Sequence, residues 1–479
     1  MVWVGIITLF PFDFGTSRGR GFFETPLSRQ LDDIPLNILL FVPLGAWLNK
    51  EARSRSLQLQ SILFLGCVAG SLGSWSLEYL QTFLPSRFPS VVDIVSNTSG
   101  TLCGVYLHRR WSERAAVGVA WLRNSVRGVY VVVAMAAFTV LALLVSAALQ
   151  AQTRLSNWDA SYPLVVGNER TGNRPWRGRV YTIEMTDAAT PQGALQRFAE
   201  GKPTVIPGTR IASYDLSGDA PYRDDSGHLP SLTWAHTSPV NGTHGARKAT
   251  DVWLSTEGPA DAVGRRVRES NAFSLRVRCA SDDLSQGGGP PRIVSNSMDS
   301  ERGNLVLGQD SRQLGFRFRT QQTGEIPFPP DFVIPAVFSD NGLRDILVTY
   351  DGATVRAAVA KSGRVHRFEL TPGSSLVAAM GSDVRPDELQ LYKLAYIACL
   401  FVLPGTLVHV LCRSWRNRLA WTGFWVFGFT LAFEVTLGQI SGKPFVLSGA
   451  ATTAVVGSLV FLATLVMPAP LTQPVHIRG

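Results

Sequence analysis

The sequence predicts a chain built for two solvents: an α-helical polytopic membrane bundle joined to one all-β domain. Three observations predict it. First, the 479 residues are 46% hydrophobic and 17% charged, with mean hydropathy +0.12. That is too apolar for disorder and too polar for a wholly intramembrane chain. Second, the average hides a division: positions 1–150 and 389–467 are apolar runs broken by arginine clusters, whereas 152–388 is rich in Gly, Pro, Asp and Arg. Third, the polar stretch carries short runs alternating at period two. This distribution excludes a single soluble globular enzyme.

Seven apolar segments follow an N-terminal stub: Ile34–Asn49, Leu57–Phe83, Val91–His108, Gly128–Gln150, Leu389–Cys412, Leu419–Gly438 and Phe445–Met467. The stub, Met1 to Phe10, lacks a basic region and a cleavage site, and is too short to cross ~30 Å of hydrocarbon. It reads as a partial insertion or, the favoured reading, as the remainder of a helix begun upstream. Basic residues cluster after Asn49, within 109–127 and at Arg413–Arg418. The positive-inside rule makes those stretches cytoplasmic. Alternation then puts 84–90 and 152–388 on the outer, extracytoplasmic side of the membrane and both termini in the cytoplasm.

The formal charge of +9, from 45 basic against 36 acidic residues, is therefore read as a topology marker. Membrane lipids are the expected partners and nucleic acid is not. Five cysteines stand at 67, 103, 279, 399 and 412. Only Cys279 falls in the polar region, so no disulfide forms within it. No CxxC or Cys/His cluster suggests zinc, and no resident cofactor is expected.

In 152–388 the runs Phe273–Arg278, Asn304–Leu307, Leu314–Arg319 and Ile346–Tyr350 are separated by turn formers such as Gly287–Pro291 and Asp351-Gly352. Such alternation predicts an antiparallel sandwich. Pro163–Gly178 with Val180–Asp187 resembles the closing segment of laminin-G-like, concanavalin A-like jelly rolls. Tyr214–Leu216 to Asp225–Gly227 resembles their opening strand, and Arg292–Ser295, Leu307–Gln309 and Leu347–Gly352 their middle strands. The order implies a circularly permuted jelly roll, and the resemblance implies glycan binding. The Glu-x-Asp-x-Glu strand of hydrolytic relatives is missing, which favours binding over hydrolysis. Trp158, Trp176, Trp234 and Trp253 are candidates to stack on sugar rings, although core packing is the better expectation for most of them. Asp215, Asp224 and Asp225 are weak candidates for calcium, since Asp-Ser-Gly is equally a turn signature.

The sharpest polar pattern lies at 70–104. Ser71, Ser74, Glu78 and Gln81 share one helical face, and Asp93, Asn97, Gly100, Thr101 and Gly104 form another stripe. Arg87 stands between them in sequence, where it would neutralise either carboxylate. Ionisable groups at membrane depth are costly and point to function, but polar residues also tie membrane helices together. A site and a clamp are equally good readings. Asp33…Asn37-x3-Phe41-x-Pro43-Leu44-Gly45, Glu78-x2-Gln81, Pro85-x-Arg87, Asp93-x3-Asn97 and Gly100-x3-Gly104 together resemble the VanZ-like membrane family, and Leu9–Phe12 is similar to the end of its first helix. The resemblance implies a setting in the bacterial cell envelope, where such proteins are associated with teicoplanin resistance, and no defined reaction.

Residues 399–453 weakly echo the first block: Phe433-Glu434-x4-Gln439 is similar to Leu77-Glu78-x2-Gln81. The expected organisation is then 1–110 VanZ-like, 111–151 a cytoplasmic basic loop and a transmembrane helix, 152–388 the outer jelly roll, and 389–479 three helices forming a degenerate repeat. The expected function is recognition of a glycan or lipid-linked saccharide at the bacterial inner membrane, with Gln81, Arg87, Asn97, Trp158 and Trp176 as ligand-binding candidates. Two alternatives are a surface enzyme using Glu78 and Asp93 as acid and base, and a scaffold for another envelope protein. No P-loop, dinucleotide or zinc-protease motif raises the enzymatic reading.

Overall fold

A computed structural model describes residues 34–83, 90–125, 128–235, 246–247, 253–287, 289–325, 327, 330–381, 384–412, 414–442 and 447–466. The chain divides into two compact units. The first comprises 1–135, 403–421 and 461–479, and the second 136–402 and 422–460.

Four helices come first: α1 (Ile34–Ser54), α2 (Leu59–Gln81), α3 (Val91–Ser125) and α4 (Gly128–Ala151). The basic stretch expected as a loop after His108 is instead helical as far as Ser125. Its sequence, Arg-Arg-Trp-Ser-Glu-Arg-Ala-Ala, contains neither Gly nor Pro, and Arg, Glu and Ala are strong helix formers. In the first unit α3 lies against both α1 and α2. Small residues permit this: a Cβ on Gly100 or Gly104 would come within 2.1 and 2.0 Å of the Ile38 and Val42 carbonyl oxygens of α1. Backbones thus meet directly, as small residues allow between membrane helices.

The sandwich belongs to the second unit. In chain order it contains β1 (Leu164–Val166), β2 (Gly178–Thr186), α5 (Gln192–Ala199), β3 (Arg210–Asp215), β4 (Leu232–Trp234), β5 (Ala246–Arg247), β6 (Leu254–Thr256), α6 (Asp261–Ser270) and β7 (Phe273–Ser281). There follow β8 (Arg292–Ser297), β9 (Gly303–Asp310), β10 (Gln313–Phe318), β11 (Phe332–Ile334), β12 (Arg344–Tyr350), β13 (Thr354–Val359), β14 (Val365–Glu369) and α7 (Pro372–Ala379). One sheet runs β11-β10-β9-β8-β1-β6-β4. The other runs β14-β13-β12-β7-β2-β3, with β5 also paired to β2. Neighbouring strands are antiparallel throughout, as in Ile346 opposite Val277 and Phe316 opposite Leu307. The expected alternation is clear in β10, where Leu314, Phe316 and Phe318 are buried while Gly315 and Arg317 are half-buried. Inward side chains of both sheets fill a single apolar core. At its centre Phe273 packs against Trp158, Phe316, Phe318 and Tyr350, with ring centroids 5.4–6.2 Å apart.

The chain ends with α8 (Leu389–Leu411), α9 (Trp415–Gly423), a π-helical turn at Phe424–Phe429, α10 (Thr430–Ser441) and α11 (Leu447–Val466). Five stretches, Leu59–Gln81, Val129–Ala151, Pro386–Leu411, Arg416–Ser441 and Leu447–Thr464, are long and apolar enough to cross a membrane. They expose large apolar side chains such as Phe64, Val133, Leu144, Phe427 and Leu447. That surface suits hydrocarbon better than water. The other two predicted segments form α1 and α3, which are helical but more polar, carrying Asn37, Asn49, Asp93, Asn97 and His108.

Candidate functional site

The polar residues singled out at 70–104 come together on α1, α2 and α3. Glu78 is buried, and its Oε2 accepts a hydrogen bond from the Ser90 backbone N–H at 2.9 Å. Ser90 immediately precedes α3, and its own Oγ accepts from the Val92 N–H at 3.1 Å. The Glu78 carboxylate therefore sits at the positive end of a helix, a favourable place for an anion. Asp93 Oδ1 accepts from Asn37 Nδ2 at 2.8 Å, which joins α3 to α1. Asn97 Nδ2 donates to Ser74 Oγ at 2.8 Å, and Ser71 shares a hydrogen bond with Thr98 at 3.1 Å, which join α3 to α2. Gln81 is buried at the C-terminal end of α2. Arg87 lies outside the described residues.

The stripe thus ties three helices together, and both acids accept hydrogen bonds from neighbouring segments. The shared faces were legible in the spacing. The partners Asn37 and Ser90 were not, because one comes from an earlier helix and the other acts through its backbone.

Within the sandwich, the tryptophans expected to stack on sugar are core residues. Trp158 and Trp176 are each 1% exposed. Their indole N–H groups donate to the Arg319 carbonyl and to Gln309 Oε1, both at 2.8 Å. Burial leaves neither ring a face for a ligand, which corrects the stacking assignment. Trp253 is buried too, with its ring edge against Gly172, and Trp234 is half-buried on β4.

The acidic cluster behaves as a turn. Asp224 accepts from the backbone N–H groups of Ser213, Ser226, His228 and Leu229 and from Ser226 Oγ. Asp215 Oδ1 accepts from the Ser217 N–H, and Asp225 is exposed. The Asp224 carboxylate is engaged as a turn staple. Among the described residues no group of three or more His, Cys, Asp or Glu side chains is placed to hold a metal.

A different place in the second unit has the form of a ligand site. A cavity of about 670 Å³ opens where turns and helix ends of the sandwich meet the C-terminal end of α10. Its polar lining includes Arg154, Gln192, Glu269, Asp351, Arg356 and Gln439. The volume is that of an ordinary small-molecule pocket. Its walls are well fixed. Arg154 is anchored through its backbone, its N–H donating to Ala151 and its carbonyl accepting from Gln321. Thr190, just before α5, is held by Ser274 Oγ and Thr349 Oγ1 at 3.0 and 2.9 Å. Asp351 accepts from the Ala353 and Thr354 amides and pairs with Arg356 at 2.7 Å. Gly352, at φ +90°, lies so close to the end of α10 that a Cβ there would meet the Ser441 carbonyl oxygen at 2.5 Å. Sequence reading missed this cavity because five separated segments build it, and no short motif marks any of them.

Outside the membrane spans, burial pushes the Cys279 thiol up to about 12, so it stays protonated. Burial also brings the guanidinium of Arg292 down to about 10, only partly opposed by the charge of Glu169. Asp159 and Asp299 lie below the usual carboxylate range. Burial acts to raise each, and hydrogen bonds from Ser161 and Arg302 more than offset it.

Neither a curated protein nor a solved structure matches the chain. The family model described as VanZ/LLP1 matches residues 3–112. That span contains α1, α2 and the part of α3 that carries Asp93, Asn97 and Thr98, and the chain therefore carries a VanZ-like region there.

Proposed function

We propose that this is an envelope membrane protein whose sandwich domain recognises the headgroup of a glycan-bearing lipid. In this reading the domain lies outside the bacterial inner membrane and both termini lie inside. The observation that carries it is the position of the polar cavity. Its lining includes Arg154, three residues beyond the span Val129–Ala151, and Gln439–Gly442, at the end of the span Arg416–Ser441. A pocket at the ends of membrane spans lies at headgroup level.

Among the described residues the domain is tied directly to the helix ends. Thr153 Oγ1 donates to the Gly352 carbonyl at 3.0 Å, Tyr350 Oη donates to the Thr153 carbonyl at 2.6 Å, and Leu389, the first residue of α8, joins the sandwich core.

The test uses the full chain in nanodiscs. A lipid-linked saccharide in the disc should bind at least ~10-fold tighter than the same saccharide free in solution. Equal affinity for the two, or no binding of either, overturns the reading. Sidedness is checked with Ser217→Cys: a membrane-impermeant maleimide should label it in intact cells above the wild-type background, and labelling only after lysis would place the domain inside.

A further inference from the structure

We propose that the cavity holds an anion subsite, in which Arg154 takes the phosphate of a lipid headgroup. The inference rests on the reading that a headgroup enters this cavity, and it names the group that is recognised.

The charges of the lining are unequal in availability. Asp351 is engaged by two amides and by Arg356, which leaves little of it to repel an anion. Arg356 itself keeps one buried donor, Nε, without a hydrogen-bond partner. Arg154 is exposed, and among the described residues its side chain makes no ion pair or hydrogen bond. A guanidinium offers a planar fork that matches two phosphate oxygens at once.

The start of α5 adds to the same field. Ala189, Thr190, Pro191 and Gln192 line the cavity, and α5 has no side-chain cap. The positive end of its helix dipole therefore lies at the wall of the cavity that Arg154 also lines. The remaining polar lining, Glu269, Gln192 and Gln439, suits hydroxyl or ammonium groups beyond the phosphate. A phosphate carrying a sugar or an amine therefore satisfies the lining better than an isolated anion. Placement at the span ends makes the membrane its source.

The experiment uses the full chain in nanodiscs containing trace fluorescent phosphatidylglycerol or, separately, a fluorescent uncharged diglycosyl lipid. Inorganic phosphate serves as a soluble competitor. Wild type, Arg154→Lys and Arg154→Gln are compared, and circular dichroism verifies that each is folded. Arg154→Gln should bind the phosphate lipid about tenfold more weakly while leaving the neutral glycolipid unchanged, with Arg154→Lys in between. If Arg154→Gln binds both lipids as wild type does, the subsite is wrong and the headgroup reading stands. If wild type binds neither lipid, both fall. If inorganic phosphate displaces the lipid at equal affinity, the ligand is free phosphate and the lipid source is overturned.

Discussion

Where α3 meets α1, the closest approach is backbone to backbone, and the specific ties of α3 are Asp93 to Asn37 of α1 and Asn97 to Ser74 of α2. Where the two sheets of the sandwich meet, the contact is aromatic: Phe273, Phe316, Phe318, Tyr350 and Trp158. The difference follows from the solvent. In water, removing apolar rings from solvent is the main driving force. In hydrocarbon that force vanishes, so close packing of small residues and buried hydrogen bonds set the arrangement. The same residue types accordingly mean opposite things in the two regions. A buried Trp in the sandwich is core, and a buried Asn between the helices is a fastener.

Four substitutions or conditions test this contrast, from the largest effect to the smallest. Phe273→Ala should destabilise the sandwich by about 3–5 kcal/mol, measured as a lower denaturation midpoint by near-ultraviolet circular dichroism. The helix trio should be untouched, and a loss below ~1 kcal/mol would show that the aromatic cluster is not the keystone. Gly104→Val should cost about 3 kcal/mol, the upper end for overpacking, because the obstacle is the Val42 carbonyl and not a movable side chain. Thermal aggregation of the purified protein in detergent would read it, and an unchanged midpoint would mean that α1 and α3 do not approach so closely.

Asn97→Leu should cost only about 1 kcal/mol, in keeping with measured hydrogen bonds between membrane helices. A loss as large as that of Phe273→Ala would show that the stripe holds the helices far more strongly than ordinary hydrogen bonds between membrane helices do. Acid should act on the sandwich more gently still. Asp159 and Asp299 have folded pKa values below their unfolded ones, so their contribution is complete at neutral pH and fades as pH falls below about 4. Asp159→Asn with Asp299→Asn should flatten that part of the stability–pH curve, and an unaltered curve would remove these two carboxylates from the account.

The amphipathic logic of both regions was legible because period and hydropathy are local. Leu314, Phe316 and Phe318 alternate with Gly315 and Arg317, and the seven apolar segments all became helices. The common face of Ser71, Ser74, Glu78 and Gln81 was legible for the same reason. What stayed hidden was non-local. Core packing was the better expectation for most of the tryptophans, but which of them lose every exposed face, as Trp158 and Trp176 do, depends on the whole sandwich. The length of α3 was masked because arginines mark a membrane edge without marking a helix end. The cavity was illegible in principle, since Arg154, Gln192, Glu269, Arg356 and Gln439 converge only after two sheets and a membrane helix have formed.

The hydrogen bonds that hold Thr153 to Tyr350 and Gly352 tie the sandwich to the residues just past α4. On the function proposed above, the cavity would then be confined to one plane, and encounters with a headgroup would become a search in two dimensions. The relevant concentration is the mole fraction of the lipid in its leaflet, far above what the same molecule reaches dispersed in water. On that proposal a few hydrogen bonds and one guanidinium, too weak to capture a soluble sugar, would be enough to select a lipid that is already alongside.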